Sequence, residues 1–323
     1  MKFNYIAVYN LILYAYHYQM AQEKQIAQEK LVQAIFSNEP FEIIKEIANN
    51  IESVNYGNSY YLHEDPNPLL VLLFQKRHPD IDRVLSLLID KGADADTKNI
   101  ATGTGPLFLL CNSNENKFLA CFKILLDCGA DPEIAGPNGS DIMQYSSQEV
   151  REILMPVYKY KLLHAIKYKL TVSKITLLIN NLDSVNYGCG WDILKNGNPL
   201  HTLLHFRHPH MVVILDLLIK KDADLNFRVD SVNSTDTPLS LLCGRNNPID
   251  IACLKLLLEN GADPIINHSF IFTKSCSEVK EILFDYYYNK LSGVLHDNEI
   301  LKLKNEELMI VIKRCEDFAN KII

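Results

Sequence analysis

Paired cysteines and surplus positive charge are both missing from this chain. Its 8 cysteines, spread over 323 residues, include no C-x-x-C pair. A secreted disulfide scaffold would be shorter and denser in cysteine. The expectation is therefore reduced, buried thiols in a soluble intracellular protein. Net charge is −7 and no basic stripe interrupts the sequence, which argues against a nucleic-acid partner. With only 13 Gly and 13 Pro, collagen-like and linker-like classes drop out. No Gly-rich phosphate loop, no Gly-x-Ser-x-Gly and no paired-carboxylate motif in a credible context occurs. Long apolar runs are short too. Phe3 to Tyr18 is apolar and tyrosine-rich but carries Asn4, Asn10 and His17, and it falls below the ~20 residues of a membrane helix. Only Lys2 precedes it and no clean small-x-small cleavage site follows. A helix docking on the rest of the fold is expected there, in place of a signal or a span.

What the chain does have is repetition. Hydrophobic residues make up 48% and charged residues 22%, the balance of a folded chain. The run SVNYG at 53–57 returns at 184–188, an offset of 131. Asn67-Pro68-Leu69 returns as Asn198-Pro199-Leu200, His78-Pro79 as His208-Pro209, and Gly129-Ala130-Asp131-Pro132 as Gly261-Ala262-Asp263-Pro264. A unit of about 130 residues has been duplicated with small insertions. Within each half lies a shorter period: Pro68 to Pro106 is 38 residues and Pro199 to Pro238 is 39. Each short unit opens on Pro-Leu and closes on an acidic signature, Gly92-Ala93-Asp94, Gly129-Ala130-Asp131, Asp222-Ala223-Asp224 or Gly261-Ala262-Asp263.

Local physics turns that period into helix, turn, helix and loop. Asn67, Asn198 and Thr237 can accept from the first free backbone N–H groups of a helix. The proline after each suits the first helical position, where its missing N–H costs nothing. Ile81, Val84, Leu85 and Leu88 share one face of a second helix, as do Met211, Ile214, Leu215 and Leu218. Gly92, Gly129 and Gly261 end such helices in left-handed conformations that a Cβ resists.

These motifs resemble ankyrin repeats. The family pattern is a Thr-Pro-Leu-His start, two antiparallel helices, then Gly-Ala-Asp and a hairpin-like finger. Thr237-Pro238-Leu239 and Pro199-Leu200-His201 match the start, and Leu256 to Asp263 matches the end. The resemblance covers about 29–288. It implies an all-α ankyrin-repeat solenoid of about eight repeats in two duplicated sets of four, with helical N- and C-terminal caps. The expected division is an N-terminal helix at 1–28, ankyrin modules at 29–158 and 159–288, and a C-terminal helical cap at 289–323. Each clear repeat carries Leu-Leu where the family usually places Ala-Ala, and the fourth repeat of each half lacks Gly-Ala-Asp.

Three candidate sites follow. His201, His205, His208 and His210 cluster, and an i, i+4 pair can bind zinc. Repeat register explains them better, since His208 is duplicated as His78 without companions, so no metal and no cofactor is expected. Cys111 and Cys243 are equivalents, as are Cys121 and Cys253, which points to core packing over a nucleophile. The fingers at 55–66 and 186–197 are the stronger candidates. Their bases, Asn55-Tyr56-Gly57 and Asn186-Tyr187-Gly188, are identical, whereas the tips differ. Tyr60, Tyr61 and His63 stand in one, Trp191, Asp192 and Ile193 in the other. Tyr and Trp anchor interfaces, so these six are the expected partner-binding residues, beside the concave helix face. The resemblance implies a non-enzymatic protein–protein interaction scaffold. The Lys-, Asn- and Ile-rich composition resembles ankyrin proteins of intracellular bacteria, some delivered into host cells as effectors. The alternatives are a membrane-tethered or assembly protein using the apolar N-terminal helix, or an ankyrin-targeted enzyme.

Overall fold

The computed structural model describes residues 5–133, 136–137, 142–188, 197–231, 234–266 and 268–296. It divides into two compact units, Met1–Pro156 and Val157–Ile323.

In the first unit, α1 (Tyr5–Phe36) pairs with α2 (Phe41–Asn49), α3 (Pro68–Gln75) with α4 (Ile81–Asp90), and α5 (Pro106–Leu110) with α6 (Asn116–Asp127). The first helices of the pairs stack as α1, α3 and α5, and the second helices as α2, α4 and α6. The sequence expectation separated an N-terminal helix from the first repeat helix, but α1 runs through both without a break. After α7 (Ile142–Tyr145), helix α8 (Gln148–Lys167) contains both Pro156 and the chain boundary between the units.

In the second unit, α9 (Val172–Asn180) precedes the pairs α10 (Pro199–Phe206) with α11 (Met211–Lys220) and α12 (Ser240–Cys243) with α13 (Pro248–Glu259). Then come α14 (His268–Lys274) and α15 (Ser277–His296). Again α10, α12 and α14 form one layer, and α9, α11, α13 and α15 the other. The all-α expectation holds, and one finger is a short hairpin. Strands β1 (Val229–Ser231) and β2 (Ser234–Asp236) pair antiparallel, with Val229 opposite Asp236, and make the finger before α12 a short hairpin. The expected C-terminal cap at 289–323 begins inside α15, and residues 297–323 lie outside the described residues.

The helix signals act as the sequence implies. Asn67 Oδ1 accepts from Leu70 N, and Asn198 Oδ1 accepts from Leu200 N and His201 N. Thr237 and Ser240 bond reciprocally, each side chain accepting from the other's backbone N–H. The second-helix faces form the core: Ile81, Val84, Leu85 and Leu88 are fully buried, as are Ile214, Leu215 and Leu218.

The duplication is also written in the backbone. Left-handed residues fall at Asn38 and Lys169, and again at Lys76 and Arg207. Gly92, Gly129 and Gly261 hold positive φ after their helices. At the equivalent position of α11 stands Asp222, with φ 58, a residue type that tolerates this region better than most.

Side-chain bonds join successive repeats at the same places. Asn55 Oδ1 accepts from Asp94 N at 2.6 Å while its Nδ2 donates to the Gly92 carbonyl. Asn186 does the same with Asp224 N at 2.7 Å and the Asp222 carbonyl at 2.6 Å. Asn226 repeats it with Asp263 N at 2.7 Å and the Gly261 carbonyl at 3.2 Å. Asp96 fills this role once, accepting from Asp131 N at 2.8 Å, but a carboxylate has no N–H to give to the Gly129 carbonyl. Asp96→Asn restores that donor. It is expected to raise stability by about 0.5–1.5 kcal/mol, the usual net value of one hydrogen bond. Urea unfolding checks this, and a lowered midpoint counts against it.

Each half also buries a histidine at an equivalent position under a helix pair. His78 Nδ1 accepts from Asp80 N at 3.1 Å, and its Nε2 meets the Glu39 carbonyl at 3.0 Å. His208 does so with His210 N at 3.0 Å and the Leu170 carbonyl at 2.8 Å. The bonding pattern assigns both rings as neutral with the proton on Nε2. A turn of one repeat is thereby stitched to the repeat before it.

Candidate partner-binding finger

The first finger is held at its base and displayed at its tip. Asn55 fixes its start to the next repeat, as above. Tyr56 passes its hydroxyl back to the Gln28 carbonyl of α1 at 2.8 Å, and burial raises its phenol well above the ordinary value. Gly57 follows at φ +66, where a Cβ would run into the Pro66 carbonyl, so only glycine fits. Asn67 closes the base by donating to the Tyr56 carbonyl at 2.9 Å. Between these ends the chain doubles back. Asn58 N donates to the Asp65 carbonyl at 2.9 Å, and Asn67 N to the Ser59 carbonyl at 2.8 Å.

The tip is an aromatic cluster. Tyr60 is buried at 8% exposure and stacks on Phe74 of α3, with centroids 4.1 Å apart and planes 9° apart. Tyr61 meets Tyr60 edge-on at 4.6 Å and Phe74 at 5.8 Å. Tyr61 stays 41% exposed, Phe74 44% and Phe36 42%. These rings, with His63, Gln75 and Arg77, line a concavity of about 440 Å³. The Tyr60 phenol beside it, then burial, raise the Tyr61 phenol, so it presents a neutral hydroxyl. His63 is exposed and pairs with Glu64 at 3.7 Å.

The expected set therefore separates. Tyr60 is the floor of the tip, and Tyr61 and His63 are its surface. Phe74, Phe36 and Arg77 join them. The signal that could have found Phe74 was its position at the end of an otherwise buried helix, two residues before the left-handed Lys76. The second finger keeps the same base: Asn186 bonds as Asn55 does, Tyr187 donates to the Lys159 carbonyl at 3.1 Å, and Asn198 donates to the Tyr187 carbonyl at 3.3 Å. Burial raises the Tyr187 phenol as it does Tyr56. Trp191, Asp192 and Ile193 lie outside the described residues.

The other candidates are dispersed. His201 is buried against Phe227, and His208 has both ring nitrogens engaged, whereas His205 and His210 face solvent. Among the described residues no group of three or more His, Cys, Asp or Glu is arranged to hold a metal ion. Burial pushes the Cys111 thiol up to about 11 and those of Cys121, Cys243 and Cys253 to about 12. Thiols held protonated in this way are poor nucleophiles. Among the described residues no helix is long and apolar enough to cross a membrane.

Antiparallel helix pairs in two layers, Asn-capped Pro-Leu starts, left-handed helix ends and projecting fingers are the features of an ankyrin-repeat architecture. Among curated proteins the chain is similar to the ankyrin repeat and KH domain-containing protein mask-1 of Caenorhabditis elegans. The two are 26% identical over 193 residues, which cover 57% of this chain and 7% of that protein. Among solved structures it is similar to EF0377, an ankyrin repeat protein, at 23% identity and a TM-score of 0.26, covering 61% of this chain and 83% of that one. No family model matches the chain.

Proposed function

We propose that the chain is a non-enzymatic scaffold that binds a protein partner through its fingers and the concave helix face. The observation that supports this most is the first finger. Its base is fixed by four side-chain bonds and a glycine-only turn, yet its tip leaves Tyr61, Phe74 and Phe36 partly exposed around one concavity. A rigid base with exposed aromatics is what an interface anchor requires, because little order is lost on binding. The second finger shares the base and carries Trp191, Asp192 and Ile193 at its tip, so the reading assigns two tips of different specificity to one scaffold. The Lys-, Asn- and Ile-rich composition supports the narrower reading of a bacterial effector with a host-cell partner.

The test is affinity capture from a eukaryotic lysate with wild type, Tyr61→Ala and Trp191→Ala side by side. Truncating an interface anchor commonly costs about 2 kcal/mol, roughly thirtyfold in affinity. A specific band is expected with wild type and a strongly reduced one with at least one variant, at unchanged melting temperature. Equal capture by all three proteins would remove both fingers from the contact surface.

A further inference from the structure

The duplication marks where the first finger differs from its copy. The two modules align at fixed points: the buried Ile35 and Ile166, the capping Asn67 and Asn198, the left-handed Lys76 and Arg207, and the buried His78 and His208. Between those points the residues around the concavity change. Phe36 is matched by Lys167, Phe74 by His205 and Gln75 by Phe206. Arg77 has no counterpart, because His208 follows Arg207 directly.

The two versions differ in what they leave open. In the second module Lys167 lies 5.3 Å from the Tyr168 ring centre and 5.4 Å from that of Phe206, so the chain's own cation sits over those rings. In the first module Phe36, Tyr61 and Phe74 stay partly exposed around the concavity of about 440 Å³. Arg77 belongs to its lining and is exposed. Its guanidinium makes no ion pair or hydrogen bond among the described residues. Lys76 beside it donates to Ser113 Oγ of the next repeat at 3.2 Å. Glu64 pairs with His63 at 3.7 Å, and neither Glu64 nor Asp65 lines the concavity. Aromatic walls therefore stand next to one uncompensated cation.

We propose that this concavity takes an extended acidic and apolar segment of a protein partner, with an aliphatic side chain against Phe36, Tyr61 and Phe74 and a carboxylate on Arg77. The proposal rests on the reading of the first finger as a contact surface and names what that surface contacts. A guanidinium has five donors and no acceptor, in a fork that matches a carboxylate. The rings supply apolar wall, and the volume is that of a pocket able to enclose a few groups of a ligand. Side chains two residues apart in an extended segment face the same side, so an aliphatic residue and an acid at that spacing reach the rings and Arg77 together. A basic segment would be repelled by Arg77, and a purely apolar one would leave its charge unmatched.

The test uses the full chain and short fluorescent Gly/Ser peptides with a central Leu-Ser-Asp, Leu-Ser-Asn, Leu-Ser-Lys or Ala-Ser-Asp, read by anisotropy. Wild type is compared with Arg77→Glu, an exposed position whose change should leave the melting temperature as it is. Wild type is expected to bind the Leu-Ser-Asp peptide roughly 10-fold tighter than the Leu-Ser-Asn and Ala-Ser-Asp peptides, the worth of one charge-assisted bond or one buried aliphatic group. Arg77→Glu should lose that preference and favour the Leu-Ser-Lys peptide. Equal binding of the Asp and Asn peptides by wild type overturns the proposal, and so does an Asp preference that survives Arg77→Glu. Binding of none of the four peptides at about 1 mM, the weak end of specific affinity, overturns it too. In that case lysate capture that is lost in Tyr61→Ala would still keep the finger as a contact surface, whereas equal lysate capture removes the finger itself.

Discussion

Leu85→Ala and Leu215→Ala are each expected to destabilise the protein by about 2–5 kcal/mol, the range for truncating a buried leucine. Both side chains are fully buried in the middle of second helices, Leu85 in α4 and Leu215 in α11. Each helix is flanked in its own layer, α4 by α2 and α6, α11 by α9 and α13. A cavity there is walled by several stacked elements and cannot close by shifting one loop. The two losses should also be similar, because the sites are equivalents of the duplication. Denaturant unfolding of both variants measures it. Wild-type midpoints would mean that the helix faces are assigned wrongly.

Breaking the buried ion pair of the second module should cost about as much. Asp250 has no exposed side-chain surface, and its Oδ2 accepts from Arg207 Nη2 at 2.6 Å and from Asn247. Arg207 itself is half-exposed and caps α10 in a left-handed conformation. Removing the cation leaves a carboxylate out of water with its main partner gone, which typically costs about 3–5 kcal/mol. Arg207→Met is therefore expected to lower stability by roughly 3 kcal/mol, at the low end because water reaches the arginine. The first module solves the same position differently. Lys76 replaces the arginine, Phe118 replaces the aspartate, and the ammonium lies 5.6 Å from the ring centre. The double change Arg207→Lys with Asp250→Phe should thus recover most of the loss. If Arg207→Met melts like wild type, the pair contributes little and the helix start of α13 is held by Asn247 alone.

Much of the fold was legible because it is local. Asn67 and Asn198 cap helices, Pro follows them, and a period of helical spacing identifies Leu85 and Leu215 as core. All of these depend on residues within a few positions of one another. What was not legible depends on partners dozens of residues away. The duplicated histidines were visible as a pattern, but their bonds to the Glu39 and Leu170 carbonyls needed the helix pairs in place. The same holds for Asn55 reaching Gly92 and for Asp250 meeting Arg207. At the finger, the identical base and divergent tip could be read directly. The burial of Tyr60 could not, because it follows from the stacking of Phe74 against it across the finger and α3.

The central claim is that one helix-pair unit is built twice, with side-chain bonds to backbone N–H groups at equivalent places. Amide hydrogen exchange of the full chain tests it most directly, read at three pairs of N–H groups: Asp80 and His210, Asp94 and Asp224, Asp131 and Asp263. Each donates to a side chain of its own turn or of the preceding repeat. Both members of every pair should be strongly protected, exchanging only when the repeat opens. Exchange of His210, Asp224 and Asp263 at the rate of an unfolded peptide, with their counterparts protected, would contradict the account.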